Sequence, residues 1–351
     1  MSYFIDFILL RKRDKLVTGG HKYDRMLFDV CNKIPGVIAK ETVVGAAQSQ
    51  PKYLWPFIEF FNGIKKTQGN MLIFNSASCL RLLPLMFYLK IFRKQKKFTI
   101  HHHFIFLEFK GLKRFVYKTA ESLFLKLSDK IIVPSPYIFS ELNKTRKEDD
   151  LLLWRIPFET KQEFPPHPKT GNLTFTGTIE PRKGLIYLLQ ALKRLQDNHV
   201  GYKLNIVGKV INENYNKKLI DYIQQNNLNV EFKGFVELEE KNRILSETDI
   251  FVFPSLLEGF GMVLVEAQVY GLPIVSFDNS AMPFTVKNGI NGFAVPTFDI
   301  SSMANRIEEI IKNRDLRHRL SQGALENVKQ QWSYKKFEET VTDYFINRIG
   351  V

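Results

Sequence analysis

Between residues 173 and 295 the chain alternates short apolar runs with amphipathic stretches, and this alternation constrains the fold more than any other feature. LTFTGTI (173–179), KLNIVG (203–208), VEFKGFV (230–236), DIFVFPS (249–255), PIVSF (273–277) and GFAV (292–295) have the length and composition of buried strands. Between them, GLIYLLQALKRLQ, KKLIDYIQQN, EEKNRILSE and VLVEAQVY space their apolar residues at the helical period, with Gly or Asn where a helix should stop. Strands joined through helices run parallel, and a parallel sheet is covered on both faces. Ligands of such sheets bind beyond the carboxyl ends of the strands.

The first half repeats the pattern less cleanly: FIDFILL, a loop at Thr18-Gly19-Gly20, a helix near residues 23–33, then GVIAKETVV, MLIFN, FTIHH and KIIVPS. Residues 157–171 (PFETKQEFPPHPKTG) are rich in proline and charge, as an interdomain linker would be. The expectation is an α/β protein of two Rossmann-like domains, 1–160 and 161–330, with a C-terminal helix over 331–351 that could cross back to the first. The tail should be helical from a cap at Ser301, with breaks near Asn313 and Ser333.

A chain of 351 residues with 44% hydrophobic content can bury two cores. Its two cysteines, Cys31 and Cys79, are too few for a disulfide framework, and no CxxC pair is present, so a reducing cytoplasm fits. Residues 3–10 are apolar except for Asp6 and lack a leading basic stretch, which reads as a first strand rather than a signal. Residues 82–92 contain Pro84 and Lys90 and fall short of the ~20 residues a membrane-spanning helix needs. Charge is lopsided: residues 1–150 hold 26 Lys/Arg against 13 Asp/Glu, whereas residues 151–351 hold 24 against 23. The basic half calls for a polyanionic partner: a membrane surface, nucleic acid or a phosphorylated acceptor.

The stretch SLLEGFGMVLVEAQVYG (255–271) sets Glu258 and Glu266 around a Gly259-Phe260-Gly261 turn, at the carboxyl end of an apolar strand. Glycines there let the backbone approach a ligand and expose amides at a helix N-terminus, which favours a negative group. Glu266 sits in an otherwise apolar helix and must find partners, because an unpaired buried charge is costly. The plain alternative is an exposed loop acid and a salt-bridged helix acid.

In order along the chain, Phe175-Thr-Gly-Thr-Ile-Glu-Pro-Arg-Lys-Gly184, Ile206-Val-Gly208, Val230-Glu-Phe-Lys-Gly234, Asp249-Ile-Phe-Val-Phe-Pro-Ser255, Glu258-Gly-Phe-Gly261, Glu266-Ala267, Gly271-Leu-Pro-Ile-Val275 and Asn288-Gly-Ile-Asn-Gly292 cover the second half. This order resembles the retaining, nucleotide-sugar-dependent glycosyltransferases of the GT-B fold, the glycosyl transferases group 1 or glycosyltransferase family 4. The resemblance implies two facing Rossmann-like domains, with acceptor in the first, donor in the second and chemistry in the cleft. It implies that Arg182 and Lys183, beside Gly177 and Gly208, meet the donor pyrophosphate, a task suited to a guanidinium fork and an ammonium. Cations at a helix start are unfavourable unless an anion lies near. By the same resemblance Glu266 takes the ribose hydroxyls, while Glu258 and the amides of Phe260 and Gly261 hold the sugar. The co-substrate is then a nucleotide-diphosphate sugar, no other cofactor and no metal are expected, and anomeric configuration is retained. Thr178 stands where many relatives have arginine, Lys209-Val210 follow Gly208 where GxG is common, and Phe284 replaces a frequent glutamate. These departures bear on donor identity, and the GTxEPRK form resembles that of some mannosyltransferases that use GDP-mannose.

In the first domain, relatives place a glycine-rich loop after the first strand and a histidine at a later strand end. Gly19 and Gly20 match the former; His101, His102 and His103 are candidates for the latter, with His101 or His102 favoured, and alternation along a strand would put 101 and 103 on one face and 102 on the other. A hydrogen-bonded structural histidine is the plain alternative for either. Glu121 also matches relatives, as a structural or acceptor-side residue. Residues 81–97 (RLLPLMFYLKIFRKQKK) read either as a core helix with a solvated basic end or as a membrane-surface helix suited to anionic lipid and a lipid-linked acceptor. Other readings are a different GT-B enzyme such as a sugar-phosphate synthase, a basic nucleic-acid-binding protein, and a homologue used for binding alone. No RNP, zinc-finger or helix-turn-helix signature supports the nucleic-acid reading.

Overall fold

A computed structural model describes residues 2–11, 19–159 and 171–351. Thr18 and most of the expected linker, residues 160–170, lie outside the described residues. The chain divides into two compact units, one formed by Met1–Pro157 with Lys335–Val351, the other by Phe158–Tyr334.

The first unit runs β1 (Tyr3–Leu9), α1 (Gly19–Lys33), β2 (Val37–Val43), α2 (Trp55–Lys66), β3 (Met71–Asn75), α3 (Cys79–Phe92), β4 (Lys96–Ile100), α4 (Gly111–Leu127), β5 (Lys130–Val133), α5 (Pro136–Asn143) and β6 (Leu151–Leu153). Its six strands are parallel in the order β2-β1-β3-β4-β5-β6. Ile5, Phe7, Ile8 and Leu9 of β1 are buried, as a central strand requires. Asp6, the one charge in that run, is buried but satisfied: it accepts the amides of Gln68 (2.8 Å) and Gly69 (2.7 Å) and the Thr42 hydroxyl (2.9 Å). One core joins β1 and β3 to Leu82, Leu85, Met86 and Leu89 of α3 and to Phe124 of α4.

The second unit runs β7 (Asn172–Thr176), α6 (Leu185–Asp197), β8 (Lys203–Val207), α7 (Glu213–Gln225), β9 (Val230–Gly234), α8 (Leu238–Ser246), β10 (Ile250–Phe253), α9 (Met262–Val269), β11 (Ile274–Phe277), α10 (Met282–Thr285), β12 (Gly292–Val295), α11 (Ile300–Lys312) and α12 (Arg314–Gln331). Its sheet is parallel in the order β12-β11-β10-β7-β8-β9. The chain leaves β7 towards β8 on one side and later places β10 on the other, so the switch point lies between β7 and β10. The loops after these strands therefore open beside one another, where such sheets receive ligands.

α13 (Tyr334–Asp343) continues as a π-helix over Tyr344–Ile349. Residues from Lys335 belong to the first unit, where Phe337 packs on Tyr23 (5.7 Å between centroids) and Tyr344 on Trp154 (5.5 Å).

Three local expectations are corrected. Gly19 and Gly20 open α1 instead of forming a loop ahead of it. The cap of α11 is Asp299, whose carboxylate accepts the Ser302 amide at 2.9 Å, rather than Ser301. β4 ends at Ile100, so the three histidines leave the strand and strand alternation does not govern them. Among the described residues no helix is long and apolar enough to cross a membrane.

Candidate functional site

At the carboxyl edge of the second sheet, around β7, backbone segments come too close for side chains. The Gly177 amide donates to Val207 O at 2.9 Å. A Cβ on Gly208, which has φ 152°, would lie 1.8 Å from the Gly177 carbonyl oxygen. Gly184 (φ 69°) ends the 3₁₀ turn Pro181–Lys183, and a Cβ there would lie 2.0 Å from Pro254 O. This contact locks the turn carrying Arg182 and Lys183 against the end of β10, and the Leu256 amide adds a 2.9 Å bond to Arg182 O.

Glu258 is the hub of the group so formed. Its Oε1 accepts from Lys183 Nζ (2.6 Å), Ser255 Oγ (2.8 Å) and Arg182 Nη1 (3.3 Å), and its amide donates to Ser280 Oγ (3.0 Å). Lys183 and Glu258 are nearly enclosed, with side chains 11% and 12% exposed, and Nζ lies 5.2 Å from the Phe253 ring centroid. Arg182 is more open; it also donates to Leu257 O (2.8 Å) and Glu180 Oε1 (2.9 Å). Burial pushes the Glu180 carboxyl up, but the Thr178 hydroxyl and Arg182 outweigh it and hold the pKa below the ordinary value. Thr178, the departure from the arginine of many relatives, thus serves Glu180 through a 2.7 Å bond.

Gly261 (φ 76°) precedes α9, and no side chain caps that helix. The Phe260 ring is buried, stacked on Phe158 (6.4 Å) and edge-on to Trp332 (5.2 Å), so it anchors the Gly259–Gly261 turn. Glu266, one turn into α9, pairs with Lys241 Nζ of α8 at 2.9 Å rather than with the Glu258 group. Asn288 and Asn291 hold the β11–β12 connection: Asn288 Oδ1 accepts the Ala294 amide (2.7 Å), and Asn291 Nδ2 donates to Gln268 Oε1 (2.8 Å).

In the first unit the three histidines separate. His101 is wholly buried, its Nδ1 2.9 Å from Ser76 Oγ and its ring edge-on to Phe104. Burial, with His103, His102 and Arg146 adding like charge, pushes its pKa down to about 3, so the ring is neutral. His102 keeps an open edge: its Nε2 lies 2.9 Å from Asp24 Oδ1, Asp24 Oδ2 accepts from Asn75 Nδ2 (3.0 Å), and Tyr23 packs edge-on. A Cβ on Gly20 would meet the His102 ring at 3.4 Å, which places the start of α1 beside that ring. His103 is exposed and pairs with Glu108. Glu121 accepts the Ile105 amide at 3.1 Å and is buried, which pushes its carboxyl up to about 7. Asp24, Lys241, Ser255 and Ser280 were not singled out by sequence reasoning. Among the described residues no group of three or more His, Cys, Asp and Glu could hold a metal ion.

Residues 158–327 match the family described as glycosyl transferases group 1. The second unit carries a glycosyl transferases group 1 domain. The chain is 24% identical over 275 residues to an uncharacterized 41.2 kDa protein in the cps region of Klebsiella pneumoniae, spanning 74% of this chain and 73% of the relative. It is 28% identical over 159 residues to the capsular polysaccharide biosynthesis glycosyltransferase CapM of Staphylococcus aureus, 45% of this chain and 41% of CapM. A solved Anabaena structure in complex with UDP and glucose superposes with a TM-score of 0.74 at 15% identity, covering 98% of this chain and 99% of that one. The fold is that of the GT-B glycosyltransferases: two six-stranded parallel sheets and a helical C-terminal end. Within the glycosyl transferases group 1 domain lie Arg182, Lys183, Glu258 and Glu266, all inside the matched residues.

Proposed function

We propose that this chain is a retaining, metal-independent glycosyltransferase that moves a hexosyl group from a nucleoside-diphosphate sugar to a glycan or lipid-linked acceptor in polysaccharide synthesis. The observation that carries this reading is the pair Arg182 and Lys183 at the switch point, both bonded to Glu258, with Glu180 also on Arg182. A diphosphate carries more charge than Glu258 and offers more oxygens, so it displaces the carboxylate from both cations. Glu258, released, accepts hydrogen bonds from the donor sugar, while the amides of Phe260 and Gly261 at the start of α9 add a positive dipole. Gly177 and Gly208 leave room for the phosphates. Glu266 exchanges Lys241 for the ribose hydroxyls.

In the reaction the acceptor oxygen bonds to the anomeric carbon, and the bond from that carbon to the phosphate oxygen breaks. The electron pair passes to the phosphate, which takes up the acceptor proton on the same face. Arg182 and Lys183 are already in place as this charge develops and need no reorganisation. His102 serves on the first unit: its Nε2–H donates to Asp24, which leaves Nδ1 free to accept from a sugar or acceptor hydroxyl. UDP- and GDP-sugars are the favoured donors: the Anabaena neighbour holds UDP and glucose, and the GTxEPRK form points to mannosyl transfer.

Thermal denaturation with UDP, GDP and ADP tests the reading, because a ligand at 100 times its Kd adds about 2.7 kcal/mol of stability. At least one diphosphate should stabilise the protein and lose that effect in Glu266→Ala; stabilisation by none of the three would refute the proposal. Retention is tested by NMR of the product anomer, which should match the donor.

A further inference from the structure

We propose that the outer surface of α2, α3 and α4 docks the protein on an anionic lipid bilayer. These three helices lie on one face of the first sheet and share its core. A helix covering a sheet buries one stripe and ordinarily presents polar residues outward. Here each helix carries a second apolar stripe at helical spacing. Phe57 and Phe61 of α2 are 66% and 58% exposed, Phe87 and Ile91 of α3 are 41% and 69% exposed, and Leu112 and Phe115 of α4 are 79% and 67% exposed, each pair three or four positions apart. Isolated exposed apolar residues need no explanation, but stripes on three adjacent helices do.

The charge of the same segment is one-sided. Residues 51–127 hold 14 Lys/Arg against 3 Asp/Glu. Two of those acids, Glu59 and Glu121, are buried, and the third, Glu108, pairs with His103. Lys113 and Arg114 share one turn of α4 with Leu112 and Phe115, and all four are exposed, so cations and apolar side chains crowd the start of that helix. At the ends of α2 and α3, beside Phe92, Lys65, Arg93 and Lys94 line a cavity of about 540 Å³ that no carboxylate lines.

This combination selects the occupant. A second copy of the chain would bring two strongly basic faces together. Nucleic acid would satisfy the cations and the phenylalanines, but the aliphatic Ile91 and Leu112 offer no face for base stacking. An anionic bilayer supplies hydrocarbon for both kinds of apolar side chain and phosphates for the lysines and arginines. The inference does not depend on the donor chemistry.

The test is co-sedimentation of the full chain with phosphatidylcholine vesicles, with and without phosphatidylglycerol. The wild type should pellet with the anionic vesicles and stay in solution with the neutral ones. Lys113→Glu with Arg114→Glu should lower the partition coefficient at least about tenfold, since each basic residue near such a surface adds about fivefold. Phe57→Ser with Ile91→Ser and Phe115→Ser keeps every charge and should lower it by about a hundredfold or more. Those side chains are exposed, so both variants should melt like the wild type. Equal partition on neutral and anionic vesicles, or an apolar variant that binds as the wild type does, would overturn the proposal. So would a wild-type dimer that the apolar variant abolishes, or tighter binding to a single-stranded RNA than to the anionic vesicles.

Discussion

Replacing Lys183 with methionine tests the cation pair while sparing the packing, because methionine keeps an unbranched apolar stem against Phe253. Removing one partner of a fully buried ion pair costs about 3–5 kcal/mol, mostly by stranding the other charge. Here Glu258 keeps Ser255 at 2.8 Å and Arg182 at 3.3 Å, so the cost should fall to about 1–2 kcal/mol. For a unit of this size that is a drop of roughly 2–8 °C in Tm. Nucleotide binding should suffer separately. A charge-assisted hydrogen bond contributes about 1.5–3 kcal/mol, so the Kd for a nucleoside diphosphate should rise about 10- to 150-fold. Isothermal titration of UDP and GDP reads that change directly. Lys193→Met, which breaks the surface pair with Asp197 on α6, is the control and should leave affinity unchanged. If Lys183→Met folded normally and bound within twofold of the wild type, the assignment of Lys183 to the diphosphate would be wrong.

Two further perturbations probe the scaffold. Gly208→Ala drives a methyl group into the Gly177 carbonyl in a backbone conformation that L-residues rarely adopt, so it should cost about 3 kcal/mol or more, read by chemical denaturation; a change below about 1 kcal/mol would mean that these loops are not locked together. Glu121 holds its proton in the folded protein up to about pH 7, against 4.5 for the ordinary carboxyl, so its contribution is full below pH 4.5 and lost as pH rises through 7. Glu121→Gln keeps an acceptor for Ile105 and removes this titration, worth about 3 kcal/mol at most; the variant should match the wild type near pH 4.5 and melt higher near pH 8, and equal melting curves at both would contradict the buried-carboxyl account.

The second sheet was legible because its inner strands, β10 and β11 above all, are buried along their length and read as continuous apolar runs between helical stretches. The motif residues inherited their place from that pattern: once 250–253 is a strand, Glu258 must follow its carboxyl end. Four elements of the first unit, α2, α4, α5 and β6, were not anticipated. α2 carries apolar residues on its outward side as well, which blurs the polar–apolar contrast on which periodicity depends. α5 and β6 are too short for a period to develop. Pairings distant in sequence leave no local trace: His102 meets Asp24 across 78 positions, and Lys241 meets Glu266 across 25. The choice between His101 and His102 depended on where β4 stops, and only the coordinates show one ring enclosed and the other with an open edge.

Co-crystallisation with a nucleoside diphosphate tests the central claim most directly. Arg182 and Lys183 should leave Glu258 and lie within hydrogen-bond reach of the phosphates, with Glu266 on the ribose. A bound nucleotide whose phosphates lie elsewhere, with the Lys183–Glu258 bond still closed, would contradict it.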